Sequence, residues 1–263
     1  MDNQKLFNKR LYAALRKVES EYHDLICMED NETIHDLRVA IRRVTPLLDM
    51  YAKGLKDKKT AYKIKRTNKI FKSYFKALSD IRDRQVIIER IIEMHPSSLT
   101  ILDKLEDDIK ALHRETLMKA SGWDIPSLID AVMNVLLEGP KNQLMIRKRT
   151  KAMVKKSETT VLKHLHAPIS TAKDLHKLRI ALKKFRYTLE ISESLDLKYH
   201  ISSAIIKAYQ DELGYFQDLT ILIDYLKNEM PELPILEEVQ TLYEKTFKSL
   251  IENTEDWSFI FGE

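Results

Sequence analysis

At 263 residues the chain is long enough to bury a substantial core, as one large domain or two small ones. Only five glycines and seven prolines stand among abundant Leu, Lys, Glu, Ala and Ile, which excludes a turn-rich β architecture and predicts an all-α fold; a single cysteine, Cys27, excludes an internal disulfide framework and is too few for a structural zinc site. The net charge of +4 hides a segregation: Lys53 to Lys76 carries ten basic residues against one acid, Lys141 to Lys156 seven against none, and Asp211 to Glu263 thirteen acids against three lysines.

The start, Met1 to Arg10, is basic and leads into an amphipathic helix with Lys5, Lys9 and Arg16 on one face, not into the apolar core of a secretory signal. No apolar run approaches the roughly 20 residues of a membrane span, so a cytoplasmic protein is expected. Cys27 reads as a small buried hydrophobe. Thr33 with Asp36 has capping-box spacing ahead of a basic helix that ends at Gly54, and Pro46 should kink that helix unless Arg43 and Val44 already begin a new segment. One long periodic stretch is predicted from 58 to 94, stopped by His95-Pro96-Ser97-Ser98, followed by helices over 99–119 and 125–138. Gly139-Pro140 is the strongest mid-chain break and divides the chain into an N-terminal repeat, 1–138, and a C-terminal repeat, 139–263. Helices are then predicted near 141–166, 171–195 (with Thr171 and Asp174 repeating the capping spacing), 199–229 and 235–253.

The division rests on a duplication. His35-Asp36-Leu37-Arg38-Val39-Ala40-Ile41-Arg42-Arg43 returns as His176-Lys177-Leu178-Arg179-Ile180-Ala181-Leu182-Lys183-Lys184, and the second copy runs on through Phe185-Arg186-Tyr187. At 100° per residue His35, Arg38 and Arg42 fall within about 60° of one another, and His176, Arg179, Lys183 and Arg186 take the equivalent face. Beside each cationic stripe runs an apolar one, Leu37, Ile41, Val44 and Leu48 or Leu178, Leu182, Phe185 and Leu189, at the spacing of a core-facing helix. Further on, Leu78-Ser79-Asp80-Ile81-Arg82-Asp83 matches Leu213-Gly214-Tyr215-Phe216-Gln217-Asp218. The gap from His to the final Asp is 48 residues in the first copy and 42 in the second, a difference expected in the loop after the signature helix.

With the His-x-x-Arg-hydrophobic-x-hydrophobic-basic-basic motif in both halves and these downstream segments, nearly the whole chain resembles the CHAD, or conserved histidine α-helical, domain family. The resemblance implies two antiparallel helical bundle repeats related by pseudo-twofold symmetry around a basic central groove or pore that binds inorganic polyphosphate. It implies a binding module, not an enzyme, in contact with polyphosphate, polyphosphate granules or the proteins that metabolise the polymer. Carried over by position, it points to His35, Arg38, Arg42 and Arg43 in one half and His176, Arg179, Lys183, Lys184 and Arg186 in the other. Thr45 stands where Arg186 stands in the second copy, so the first signature helix offers one cation fewer. The Glu-x-Glu-x-Lys motif of a neighbouring triphosphate-hydrolysing domain does not occur here.

The residues support a polyanion partner independently. Lys58, Lys65, Lys69, Lys72 and Lys76 lie within about 60° on one helical face, with Ile64, Phe71, Phe75 and Leu78 available to the core. Like charges at i, i+4 cost a helix about 0.2 to 0.5 kcal/mol per pair. A merely solvated face would intersperse glutamates to cancel that cost. Arg147, Lys151 and Lys155 add a stripe after Pro140, and Lys9 adds to the first helix. The second half answers Lys65, Lys69, Lys72 and Lys76 with His200, Ala204, Lys207 and Asp211, so the N-terminal half is expected to dominate binding. Arginine forks would set register on phosphate oxygens while lysines supply field. For His35 and His176, ligand contact and structural packing both remain open. His164 and His166 point to different faces, and Asp83 and Asp218 read as interhelix salt-bridge or capping partners. No metal or cofactor is expected, and no glycine-rich phosphate loop, nucleophile elbow or His-Glu-x-x-His occurs. The competing class is a general polyanion or RNA-binding helical protein. The tyrosines are scattered, however, and no nucleic-acid-reading motif appears, which leaves nucleic acid as a non-specific competitor.

Overall fold

A computed structural model describes residues 3–27, 31–94, 99–120, 122–139, 145–231 and 233–261. Among them the chain forms ten α-helices and one short 3-10 helix: α1 (Asn3–Cys27), α2 (Asn31–Gly54), α3 (Lys58–Ala77), α4 (Ser79–Met94), α5 (Leu99–Ala120), α6 (Ile125–Glu138), α7 (Ile146–Leu165), α8 (Ala172–Ser194), α9 (Ser203–Glu229), α10 (Ile235–Asp256) and the 3-10 turn Trp257–Phe261. The all-α expectation holds, and helix ends follow local chemistry. Asp57 caps α3, its carboxylate accepting from the backbone N–H groups of Lys59 and Thr60. Asp124 caps α6 ahead of Pro126, and Ser202 caps α9. Gly139 ends α6 at φ 72°, a backbone that favours glycine.

The predicted signature helices form, with one cap right and one wrong. Thr171 is the N-cap of α8, its hydroxyl accepting from the Asp174 N–H at 3.3 Å. Thr33, by contrast, lies buried inside the first turn of α2, which starts at Asn31. Pro46 sits within α2 without breaking it. The single stretch predicted from 58 to 94 is interrupted at Leu78, although Leu78 keeps helical bonds to Tyr74 on one side and Arg82 on the other. Helices predicted over 125–138, 171–195 and 235–253 lie where expected, α7 starts later than predicted, and the His95-Pro96-Ser97-Ser98 stop lies outside the described residues.

Two compact units result, Met1–Gln85 with Asp103–Arg149, and Val86–Leu102 with Thr150–Glu263. The Gly139 border read from the sequence falls inside the first unit, and α4, α5 and α7 each give residues to both. In the first unit α2 packs on α1 and α3, and α6 packs on α1 and α3. Leu37, Ile41, Val44 and Leu48 of α2 are each 2% exposed or less, and Phe7 and Leu11 of α1 and Phe71 of α3 are fully buried as well. Phe7 stacks on Tyr51, and Tyr74 meets Tyr22 and Trp123 edge-on.

In the second unit the core gathers Val154 and Val161 of α7, Leu178, Leu182, Phe185 and Leu189 of α8, Leu213 and Phe216 of α9, and Leu250 and Trp257. Phe216 stacks with Tyr243 and Phe247 of α10. Buried Ser157 and Thr188 satisfy each other across α7 and α8 at 2.7 Å. Cys27, read from sequence as a buried hydrophobe, is exposed at the end of α1, its Sγ 3.6 Å from His23 Nε2.

The extra six residues of the first repeat do not lie in the loop after the signature helix. That loop, 55–57, is shorter than its counterpart 195–202. The excess sits in α3, which runs from Lys58 toward Asp83 where α9 covers only Ser203 to Asp218. The N-terminal turns of α3, with Lys58, Lys63, Lys65 and Arg66, therefore have no helical counterpart in α9.

Candidate functional site

In the first unit α2 and α3 run antiparallel, since Arg38 meets Phe75 and Ser79 while Asn68 meets Thr45 and Asp49. This brings the cationic stripe of α2 against the C-terminal half of α3. At the turn around Leu78 the Phe75 carbonyl accepts from two side chains, Ser79 Oγ at 3.2 Å and Arg38 Nη1 at 2.8 Å. Arg38 Nη1 also donates to Ser79 Oγ at 2.9 Å. Phe75, read as a core residue, is only half-buried and instead forms the platform of the site: the guanidinium carbons of Arg38 and Arg42 lie 4.2 and 5.0 Å from its ring centroid. The break in the helix and the aromatic beneath it fix two arginines side by side. Burial, then the neighbouring Arg42 charge, push Arg38 down to about 10, with Arg82 adding to the effect and Asp83 and Asp80 opposing it. A guanidinium held half out of water beside other cations favours a bound anion, whose charge would offset both the burial and the repulsion.

The stripe ends on an acid. Asp49 accepts from Asn68 Nδ2 at 2.6 Å and Lys72 Nζ at 3.3 Å, while Asn68, 2% exposed, also reaches the Thr45 carbonyl. Lys58, Lys65, Lys69 and Lys76 are exposed on α3, and among the described residues no carboxylate pairs with them. His35 and Arg43 are exposed on α2. By helical angle Arg43 points well away from Arg38 and Arg42. Lys9 is exposed on α1, and Arg16 is held by Glu19.

In the second unit the equivalent face of α8 carries His176, Arg179, Lys183 and Arg186. The Nδ1–H of His176 donates to Gln217 Oε1 of α9 at 2.5 Å, which leaves Nε2 for another partner. Arg179 and Lys183 are half-buried, and Lys184, like Arg43, is exposed off the stripe. Arg186 Nε lies 3.5 Å from Glu190 Oε1, and the guanidinium covers Tyr187 at 4.7 Å. Gly214 stands at the position of Ser79, so the hydroxyl anchor that holds Arg38 is missing here. Lys207 is paired with Asp211 at 2.6 Å, and Arg147, Lys151 and Lys155 are exposed on α7. Asp218 is an interhelix partner as expected, accepting from Arg90 Nη2 of α4 at 2.9 Å. Burial lowers the Arg90 guanidinium, but the bonds to Asp218 and Glu93 outweigh it and leave its pKa raised.

Several of these groups escaped the sequence reading. Phe75, Asp49, Glu190 and Gln217 lie outside the nine-residue motif. Extending the comparison would have found the acids, because Asp49 and Glu190 stand at the same distance from His35 and His176. Among the described residues no group of three His, Cys, Asp or Glu side chains could hold a metal ion, and no helix is long and apolar enough to cross a membrane.

The fold and site define a class: an all-helical protein in which two units each display a basic His-x-x-Arg helix beside an apolar stripe. The family model described as CHAD domain matches residues 9–227, and the chain belongs to the CHAD domain family. Its fold is similar to the crystal structure of the CHAD domain from the plant Ricinus communis, with a TM-score of 0.66 at 19% identity, covering 98% of this chain and 89% of that one. It is also similar to PptA from Streptomyces chartreusis, with a TM-score of 0.64 at 13% identity and 99% of each chain covered. No curated protein sequence matches it.

Proposed function

We propose that the protein is a non-catalytic binder of inorganic polyphosphate, gripping the polymer with the arginines of α2 and α8 and collecting further phosphates along the lysine face of α3. The observation that carries this reading is the Arg38–Arg42 pair held over Phe75, with Arg38 anchored to the Phe75 carbonyl and to Ser79. Such anchoring costs ordering entropy once, on folding, so a phosphate meets preset forks. The CHAD family is linked in general to polyphosphate binding, which supports the same substrate. Every α3 cation is exposed and the helix contains no acid, so a polymer with a charge on each unit finds many contacts of modest strength. Each is worth about 1 kcal/mol at 4 Å in water and about 4 at an effective dielectric constant of 20. The cytosol, and polyphosphate granules within it, are the proposed setting.

One observation favours a second reading. Tyr62 is 68% exposed amid Lys58, Lys65, Arg66 and Lys69, where an aromatic ring would stack on a base of single-stranded RNA. Calorimetric titration separates the two. At about 150 mM salt, wild type should bind long-chain polyphosphate far more tightly than single-stranded RNA, and an Arg38→Ala/Arg179→Ala variant should lose most of that affinity. Equal affinity for both polymers, or an unaffected variant, would replace the reading with a general polyanion binder.

A further inference from the structure

The N-terminal turns of α3, residues 58–67, precede the part of the helix that α9 reproduces, so what they carry lies outside the duplicated surface. At their centre stands Tyr62, the most exposed aromatic side chain among the described residues. On a helix the neighbours of a side chain are the residues three and four positions before and after it. For Tyr62 these are Lys58, Lys59, Lys65 and Arg66, all basic and all exposed. Helix α3 contains no acid, and Asp57 ahead of it gives its carboxylate to the helix cap. Among the described residues no carboxylate pairs with any of the four cations.

The ring is also uncovered. Elsewhere in the molecule guanidinium groups lie over the aromatic rings beside them, Arg38 and Arg42 over Phe75, Arg186 over Tyr187 and Arg90 over Tyr215. Among the described residues none lies over Tyr62, although Arg66 is one turn away. An aromatic plane open to water inside a ring of cations forgoes both burial and cation–π contact in the free protein. A planar partner that carries phosphates would cover the plane and neutralise its rim.

We propose that the N-terminal turns of α3 form a stacking site for single-stranded nucleic acid, with a base laid on Tyr62 and the flanking phosphates on Lys58, Lys59, Lys65 and Arg66. The nucleic acid is here a second ligand with residues of its own, and the site does not rest on the polyphosphate reading. Inorganic polyphosphate has no ring and gains nothing from Tyr62, whereas bases and phosphates alternate along a single strand. A duplex keeps its bases stacked on one another and offers the tyrosine no face. Angular order about α3 separates the two partners. Lys65 and Lys69 lie on the side of Tyr62 toward Asn68 and Lys72, which meet Asp49 of α2, while Lys59, Lys63 and Arg66 lie on the other side.

The test follows the anisotropy of a labelled oligoadenylate of about 12 nucleotides as the full chain is added over a range of salt concentrations. Wild type should bind it. Tyr62→Ala should weaken that binding about tenfold, the loss of one stacked base, while polyphosphate affinity and melting temperature stay at wild-type values. Tyr62→Phe keeps the ring and should bind as wild type. Arg66→Gln should reduce the slope of log affinity against log salt by about 0.7, as for one phosphate contact to a single strand. The Arg38→Ala/Arg179→Ala variant should keep its affinity for the oligonucleotide. If wild type does not bind the oligonucleotide, or Tyr62→Ala binds it as tightly as wild type, the stacking site falls. It falls too if Tyr62→Ala weakens polyphosphate equally, or if the loss of Arg38 and Arg179 abolishes oligonucleotide binding, and the polyphosphate reading survives each of these results. Failure of wild type to bind polyphosphate would remove that reading alone.

Discussion

Asp49 and Glu190 each stand fourteen residues beyond the motif histidine, on the same helical line as the arginines, and each holds a cation, Lys72 or Arg186. A carboxylate on a surface meant for a polyanion weakens that surface, while keeping a long side chain in place. Replacing it by the matching amide keeps a hydrogen-bond acceptor and removes the charge. Asp49→Asn and Glu190→Gln should therefore each raise polyphosphate affinity by about fivefold, the equivalent of about 1 kcal/mol for one charge contact in water. Titration at fixed salt checks this, and a fall in affinity would show that ordering the cation outweighs the repulsion. The motif arginines were legible in the sequence because repetition marks them. The acids were not, because the eye stops where the motif stops. Phe75 was assigned to the core for an equally simple reason: helical angle alone does not tell a core position from one at the core's edge, where a neighbouring helix brings two guanidinium groups over the ring.

The same division between legible and hidden holds for helices. Apolar periodicity placed α6, α8 and α10 well, since each buries a continuous stripe, and Thr171 marked the start of α8. It could not find the turn at Leu78, because Leu78 is itself buried and keeps its helical bonds to Tyr74 and Arg82, so the apolar stripe runs on past the end of α3. Nor could it place the excess of the first repeat, because a longer helix and a longer loop give the same count. The cap of α8 has its own pH signature. The Thr171 hydroxyl, followed by the Lys177 ammonium, holds Asp174 down at about 2, so its contribution is present above the ordinary carboxylate range and is lost as pH falls toward that value. The difference in melting temperature between wild type and Asp174→Asn should persist at neutral pH and vanish between about pH 4 and pH 2. Within the same helix, Phe185→Ala empties a fully buried site and should cost about 3 to 5 kcal/mol in urea unfolding. Ile180→Ala, at a residue 53% exposed, should stay within about 0.5 kcal/mol of wild type.

Across the whole molecule the acid-free α3 sets a condition on stability. Its cations repel one another in the free protein, and salt screens exposed charges over about 10 Å at 0.1 M. Raising salt from low to physiological strength should therefore raise the melting temperature of the free protein while lowering its affinity for polyphosphate. Saturating polymer should stabilise it further, by about 2.7 kcal/mol at a hundred times the dissociation constant. Binding and folding respond to salt in opposite directions because the same charges serve both. The duplicated sequence divides into two successive repeats, whereas the second unit claims Val86–Leu102 from the midst of residues that belong to the first. Any one scission between the two copies of the motif leaves at least one unit without a segment of its own. A nick or truncation anywhere in that interval therefore costs the molecule part of a folding unit even where both copies of the motif survive it.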